Sequence, residues 1–171
     1  MLEEMPEGER AQFVIFCLDG AEFGVPIGQV VRIVRLVEIT RVPRAPNFLE
    51  GVINLQGEIV PVIDLKKRFG LENGTEYGDK ARILIVEVPD DEGRQLVGML
   101  VDAVTEIRWL PASAVGAPPP MVAGISPAYL AGVGQVDDRL VVILDLDRVL
   151  CTEEMVALSE AAEMSNAASP K

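Results

Sequence analysis

Apolar positions fall in short runs rich in valine and isoleucine, set off by glycine, proline and acidic residues. Residues 12–18 and 83–88 are two such runs. Residues 22–27 and 95–101 follow them across Asp19-Gly20-Ala21 and Asp90-Asp91-Glu92-Gly93. β-Branched stretches of this length with turn residues at both ends predict strands rather than helices. Two hairpins come next, 52–55 with 58–63 and 133–136 with 139–144, their tips at Gln56-Gly57 and Asp137-Asp138. Pro61 has no N–H to give a ladder, which predicts an edge or a bulge at that point.

The pattern occurs twice. Residues 48–65 overlay 129–146, matching Leu49/Leu130, Gly51/Gly132, Val52/Val133, Val60/Val141, Asp64/Asp145 and Leu65/Leu146. Upstream, 23–36 overlay 97–110, matching Gly24/Gly98, Val30/Val104, Ile33/Ile107 and Leu36/Leu110. Two blocks in the same order point to an internal duplication of an all-β unit. About five short strands per copy suit a small barrel or curled sheet that closes its own edges. The two barrels, intertwined or side by side, are expected from about residue 11 to 72, with terminal elements open to exchange, and from about 80 to 150. Residues 71–80, with Asn73-Gly74 and Gly78-Asp79, form the junction, and proline-containing connections lie at 41–46 and 114–120. Residues 1–10 read as an acidic tail. Thr152 caps an expected helix over 152–164, with Glu153 and Glu154 in its first turn and Met155, Leu158 and Ala162 on one stripe. Residues 165–171 read as a frayed end.

Composition narrows the chemistry. A hydrophobic share of 49% and a mean hydropathy of +0.28 over 171 residues mark a folded chain with a sizeable core. The net charge of −12 argues against nucleic-acid binding through a global basic field and against an anionic-membrane anchor. Histidine is absent, which removes His-based general base catalysis and most zinc and haem sites. Cys17 and Cys151 sit in apolar stretches without CxxC spacing and read as buried hydrophobes in a reducing compartment. The acidic start has no signal-peptide core and no apolar run is long enough to span a bilayer, so the chain is expected in the cytoplasm. No phosphate-binding glycine loop or calcium loop occurs, and no cofactor or metal is expected.

Two features remain as candidate chemistry. Asp64 and Asp145, one per copy, match in number the carboxylate pair of an aspartic hydrolase, but each is followed by Leu and a charged residue. The competing reading makes each the cap of a short helical turn. Arg32, Arg35, Arg41 and Arg44, against Glu38 alone, form a basic stretch in an acidic protein and suit an acidic partner. A duplicated β scaffold without catalytic groups most naturally presents surfaces to other proteins.

The motifs Phe23-Gly-Val-Pro-Ile, the run 41–57 from Arg41-Val-Pro-Arg through Gln56-Gly57, Ile59-Val-Pro-Val-Ile-Asp-Leu, Val97-Gly-Met-Leu-Val-Asp-Ala-Val and Tyr129-Leu-Ala-Gly-Val-Gly resemble the CheW family of bacterial chemotaxis couplers over about residues 11–158. The resemblance implies an all-β fold of two SH3-like five-stranded barrel subdomains, with short helices and a C-terminal helix. It implies a non-catalytic adaptor that bridges chemoreceptor tips to the regulatory domain of the histidine kinase CheA, with further copies of the coupler as array partners. It maps receptor contacts to Val30, Arg32, Gly51, Gln56, Gly98, Val104 and Ile107. Kinase contacts map to Ile39, Leu55, Gly57 and Ile59. Two residues depart from the family pattern: Arg32 stands where a Glu is usual, and Gln56 where an Arg is usual. The alternative function is a small all-β hydrolase using Asp64 and Asp145.

Overall fold

The computed structural model describes residues 10–44, 47–71, 77–90, 93–111, 115–116 and 127–149. The expected acidic tail (but for Arg10), most of the connection 114–120, Cys151 and the expected helix 152–164 lie outside them.

Strands dominate. In chain order they are β1 (Arg10–Leu18), β2 (Ala21–Pro26), β3 (Val30–Arg35), β4 (Leu49–Leu55), β5 (Glu58–Asp64), β6 (Arg82–Asp90), β7 (Gly93–Val101), β8 (Ala103–Pro111), β9 (Val115–Gly116), β10 (Leu130–Val136) and β11 (Arg139–Leu144). Single-turn helices α1 (Leu65–Arg68) and α2 (Leu146–Val149) follow β5 and β11. The strands form two antiparallel-rich sheets. Sheet A runs β8-β1-β2-β11-β10-β9 and sheet B runs β3-β6-β7-β5-β4.

The duplication is visible in this order, but the sheets do not follow the boundaries 11–72 and 80–150. Each takes the opening hairpin of one copy and the remaining strands of the other: β1 and β2 join β8, β10 and β11, while β6 and β7 join β3, β4 and β5. Parallel pairs seal the exchange at equivalent places, Gly24 opposite Ile143 in sheet A and Gly98 opposite Val62 in sheet B. A repeat aligned along the chain identifies equivalent strands but not their pairing partners, so it left this exchange open. The equivalence extends to irregularities. Bulges fall between Val30 and Arg32 on β3 and at the matching step of β8, and both late hairpins slip between their first residues, Leu49/Gly51 and Leu130/Gly132.

Turn chemistry follows the residues. Gln56 and Gly57 have φ of 53° and 92°, and Asp137 and Asp138 have 50° and 68°, the two positive angles that a two-residue hairpin needs to match strand twist. Asn54 Oδ1 accepts the Gly57 N–H at 2.8 Å and braces the first tip. β5 is not an edge strand, because it lies between β7 and β4. Its register with β7 begins at Val62, so Pro61 sits one residue before any ladder bond it would have to donate.

Three apolar clusters result from period-2 alternation. Phe13, Ile15, Val141 and Ile143 fill sheet A's interior, and Ile53, Val60, Val62, Ile83 and Ile85 fill that of sheet B. The largest cluster joins the sheets, with Val14, Phe16 and Phe23 from sheet A against Ile63, Leu84, Val86 and Met99 from sheet B. Strands therefore bury both faces, which explains their near-continuous apolar runs.

Candidate functional site

Asp64 and Asp145 behave as caps. Asp64 is 2% exposed; its Oδ1 accepts the N–H of Lys66 at 2.9 Å and of Lys67 at 3.3 Å, and the Tyr77 hydroxyl donates to it at 2.7 Å. Asp145 Oδ1 accepts the Asp147 N–H at 3.1 Å, and its other oxygen pairs with Arg148 at 3.4 Å. Asp64 Oδ1 and both oxygens of Asp145 are thus engaged within their own helical turns, the geometry of a cap. The hydrolase alternative loses its residues to structure. Burial, then the bond to Asp64, pushes the Tyr77 phenol well above the ordinary tyrosine range. Cys17 is half-buried, and burial followed by the Glu22 and Asp102 charges raises its thiol above the ordinary cysteine range, the direction opposite to that of an activated thiolate. Among the described residues no group of acids and cysteines is placed to hold a metal ion.

The residues assigned to a receptor surface divide into two kinds. Gly51 and Gly98 are buried and act through packing. A Cβ on Gly98 would stand 2.8 Å from Ile83 Cγ2 inside sheet B's barrel, and Gly24 is crowded in the same way by Ile15 and Ile143 in sheet A. A Cβ on Gly51 would stand 2.2 Å from the Thr40 carbonyl oxygen. Val30 and Val104, equivalent in the two copies, are half-buried and pack on the cluster that joins the sheets. Ile107 is exposed and pairs with Val14 of that same face, so it carries the apolar surface outward from the core between the barrels. Arg32 and Gln56 are exposed, and no hydrogen bond or ion pair joins them.

The residues assigned to a kinase surface share one end of sheet B but not one face. Leu55 and Ile39 are half-buried against the interior cluster of sheet B, whereas Ile59 packs on the cluster joining the sheets. Gly57 lies exposed at the hairpin tip beside Gln56, so a residue assigned to each partner sits in one turn.

Sequence reasoning passed over two features. One is the exposed apolar set Val31, Ile33, Leu36, Val37 and Trp109. The bulge at Val31 breaks the alternation that would have marked the β3 residues as outward. The other is a polar link between the sheets: buried Lys66 donates to Asp102 at 2.9 Å and lies 4.3 Å from the Tyr77 ring. Asp102 stands between β7 and β8, where the chain passes from sheet B to sheet A, and its other oxygen accepts the Asp19 N–H at 2.8 Å. Nothing in residue spacing announces that contact.

A family model of the CheW-like domain matches residues 12–154. The chain belongs to the CheW family. A chemotaxis protein CheW of Klebsiella aerogenes is 31% identical over 152 residues, covering 89% of each chain. The CheW of Bacillus subtilis is 32% identical over 153 residues, covering 90% of this chain and 94% of its own. The crystal structure of the scaffolding protein TtCheW from Thermoanaerobacter tengcongensis superposes with a TM-score of 0.73 at 36% identity, over 88% of this chain and 93% of that one. The two-sheet, SH3-like organisation is thus a CheW fold, and the family is one of chemotaxis scaffolds. Among the described residues no helix is long and apolar enough to cross a membrane.

Proposed function

We propose that this chain is a non-catalytic cytoplasmic adaptor that couples chemoreceptor tips to the regulatory domain of CheA, with other copies of itself as array neighbours. The observation that carries the reading is the exposed apolar surface at the edge between the barrels. Ile107 on β8 and Ile33 on β3 occupy equivalent strands and lie on the faces whose inner residues form the cluster joining the sheets. A scaffold with its acids engaged as caps and its apolar side chains turned outward at such an edge is built for contact rather than turnover. Val30, Val104 and Ile107, with Arg32 and Gln56 at the side and Gly51 and Gly98 beneath, form the receptor face. Leu55, Gly57 and Ile59 about the first hairpin tip, with Ile39 behind them, form the kinase end.

Binding of purified protein to a receptor cytoplasmic fragment and to the CheA regulatory domain tests the two faces separately. Arg32→Glu combined with Gln56→Arg lowers the local charge by one unit and moves the positive charge to the tip. Both positions are exposed, so stability stays within about 1 kcal/mol. Receptor affinity is expected to fall by roughly 1–3 kcal/mol while kinase binding persists. Equal receptor affinities at low and high salt would remove these positions from the receptor face. Failure of the wild-type protein to bind either partner would overturn the adaptor reading.

A further inference from the structure

The duplication supplies an internal control for the two edge strands β3 and β8. On β8 the charges are satisfied within the chain: Glu106 accepts from Arg139 at 2.8 Å and from Arg108 at 3.4 Å, and Arg108 also pairs with Asp137 at 2.9 Å. Arg139 reaches Glu22 as well, at 3.1 Å. This latch ties β8 to the β10–β11 tip. On and after β3 nothing comparable exists among the described residues. Arg32, Arg35, Arg41 and Arg44 are all exposed and make no ion pair or hydrogen bond with a described residue. Every other arginine whose side chain is described is engaged. The same stretch holds Val31, Ile33, Leu36 and Val37, with exposures of 54%, 38%, 40% and 49%. Ile33 and Arg35 lie on the face of β3 shared with Leu84, whereas Arg32 lies on the face of Ile85, so exposed apolar and basic side chains flank this edge on both sides in a protein of net charge −12.

We propose that the acidic segment 152–164 of the same chain docks on this surface and competes there with an outside partner. Its composition is complementary: Met155, Leu158 and Ala162 recur at three- and four-residue spacing, and Glu153, Glu154, Glu160 and Glu163 are interspersed among them. The chain also leaves the fold in the right place. α2 packs against β6, with Leu146 and Val149 buried in the same cluster as Leu84 and Val86. Ile33 pairs with Leu84, and Arg35 is two residues further along the same face of β3. Val149, the last described residue, therefore lies on the sheet face that β3 extends, with neighbouring strands about 5 Å apart. Tethering holds it at an effective concentration of about millimolar, enough for a weak contact to be well populated.

The binding of the segment stands apart from the adaptor reading, and only its competitive consequence rests on it. The test uses the full chain labelled with ¹⁵N. In Glu160→Lys with Glu163→Lys, amide signals of residues 31–37 are expected to move, and wild type in about 500 mM salt should move toward the same positions as charges are screened. Adding Arg35→Glu to that double variant should reverse part of the change. A chemoreceptor cytoplasmic fragment should bind the double variant about 3- to 10-fold more tightly than wild type, because the competing segment no longer reduces the accessible fraction. Unmoved signals over 31–37, movement confined to another surface, or movement that depends on protein concentration and so reports a second copy would each overturn the proposal. If the signals move as expected but the fragment binds neither form, the docking stands and the adaptor reading falls.

Discussion

Replacing Gly51 by alanine tests whether this residue acts through packing rather than through contact with a partner. The new methyl would meet the Thr40 carbonyl oxygen at 2.2 Å, Ile39 Cγ2 at 2.6 Å and the Thr40 carbonyl carbon at 2.8 Å. Two of these are backbone atoms, so no side-chain rotation relieves the clash. Thr40 is held there by reciprocal hydrogen bonds with Val52, 2.9 Å from its N–H and 2.8 Å to its carbonyl. The chain must either keep the overlap, at about 1–3 kcal/mol, or give up two bonds of about 1 kcal/mol each. The φ of +153° adds a further cost of up to about 1 kcal/mol for a residue with a Cβ. A loss of about 3 kcal/mol follows, or roughly 6–12 °C in Tm for a chain of this size. Gly132, the equivalent residue, offers a milder case, with Gly116 oxygen at 2.7 Å, and Gly78 has nothing within 4 Å. Urea denaturation should therefore rank the alanine variants Gly51, Gly132, Gly78 in falling order of damage, with unchanged m-values. A Gly51→Ala protein within about 0.5 kcal/mol of wild type would refute the steric argument, since surface substitutions alone give effects of that size.

Asp102→Ala leaves the Lys66 ammonium buried without its carboxylate and should cost about 3 kcal/mol, while a Lys66→Met/Asp102→Ala double variant should recover part of it; additive losses in a double-mutant cycle would deny the coupling. Tyr77 is raised above its unfolded value, so the stability it contributes is complete below about pH 10 and is lost as pH rises further, by up to about 1.4 kcal/mol per unit. Tyr77→Phe should flatten that alkaline limb in denaturation midpoints measured between about pH 9 and 11; an unchanged limb would place its origin elsewhere. Asp64→Asn should destabilise more than Asp145→Asn, because Asp64 is buried and accepts from three donors, and partner binding of the Asp145 variant should be unaffected; equal thermal shifts would contradict the difference in burial.

Much of the fold was legible because its causes are local. The positive φ angles at Gln56-Gly57 and Asp137-Asp138 belong to two-residue turns that sequence marks directly. Asp64 and Asp145 precede their helical turns as capping chemistry requires. Strand pairing was less legible, since β2 meets β11 and β5 meets β7 across long stretches of chain. Gly51 and Gly98 show the same limit for the site. Matching glycines marked them as special, and only the neighbours Thr40 and Ile83 reveal the close approach that a side chain would block. Ile39 likewise reads as available from its sequence neighbourhood, yet its side chain leans on sheet B's interior, so replacing it perturbs the fold. The Lys66–Asp102 link depends on two residues that share neither an element nor a spacing rule.

The exchange of hairpins has a consequence for how the protein comes apart. A protease that nicks the junction between α1 and β6 cuts the chain into pieces that are each woven into both sheets. Neither piece carries a complete barrel, so the nicked protein stays assembled until both sheets open at once. The place where the two sequence copies meet is therefore not a seam in the object they build.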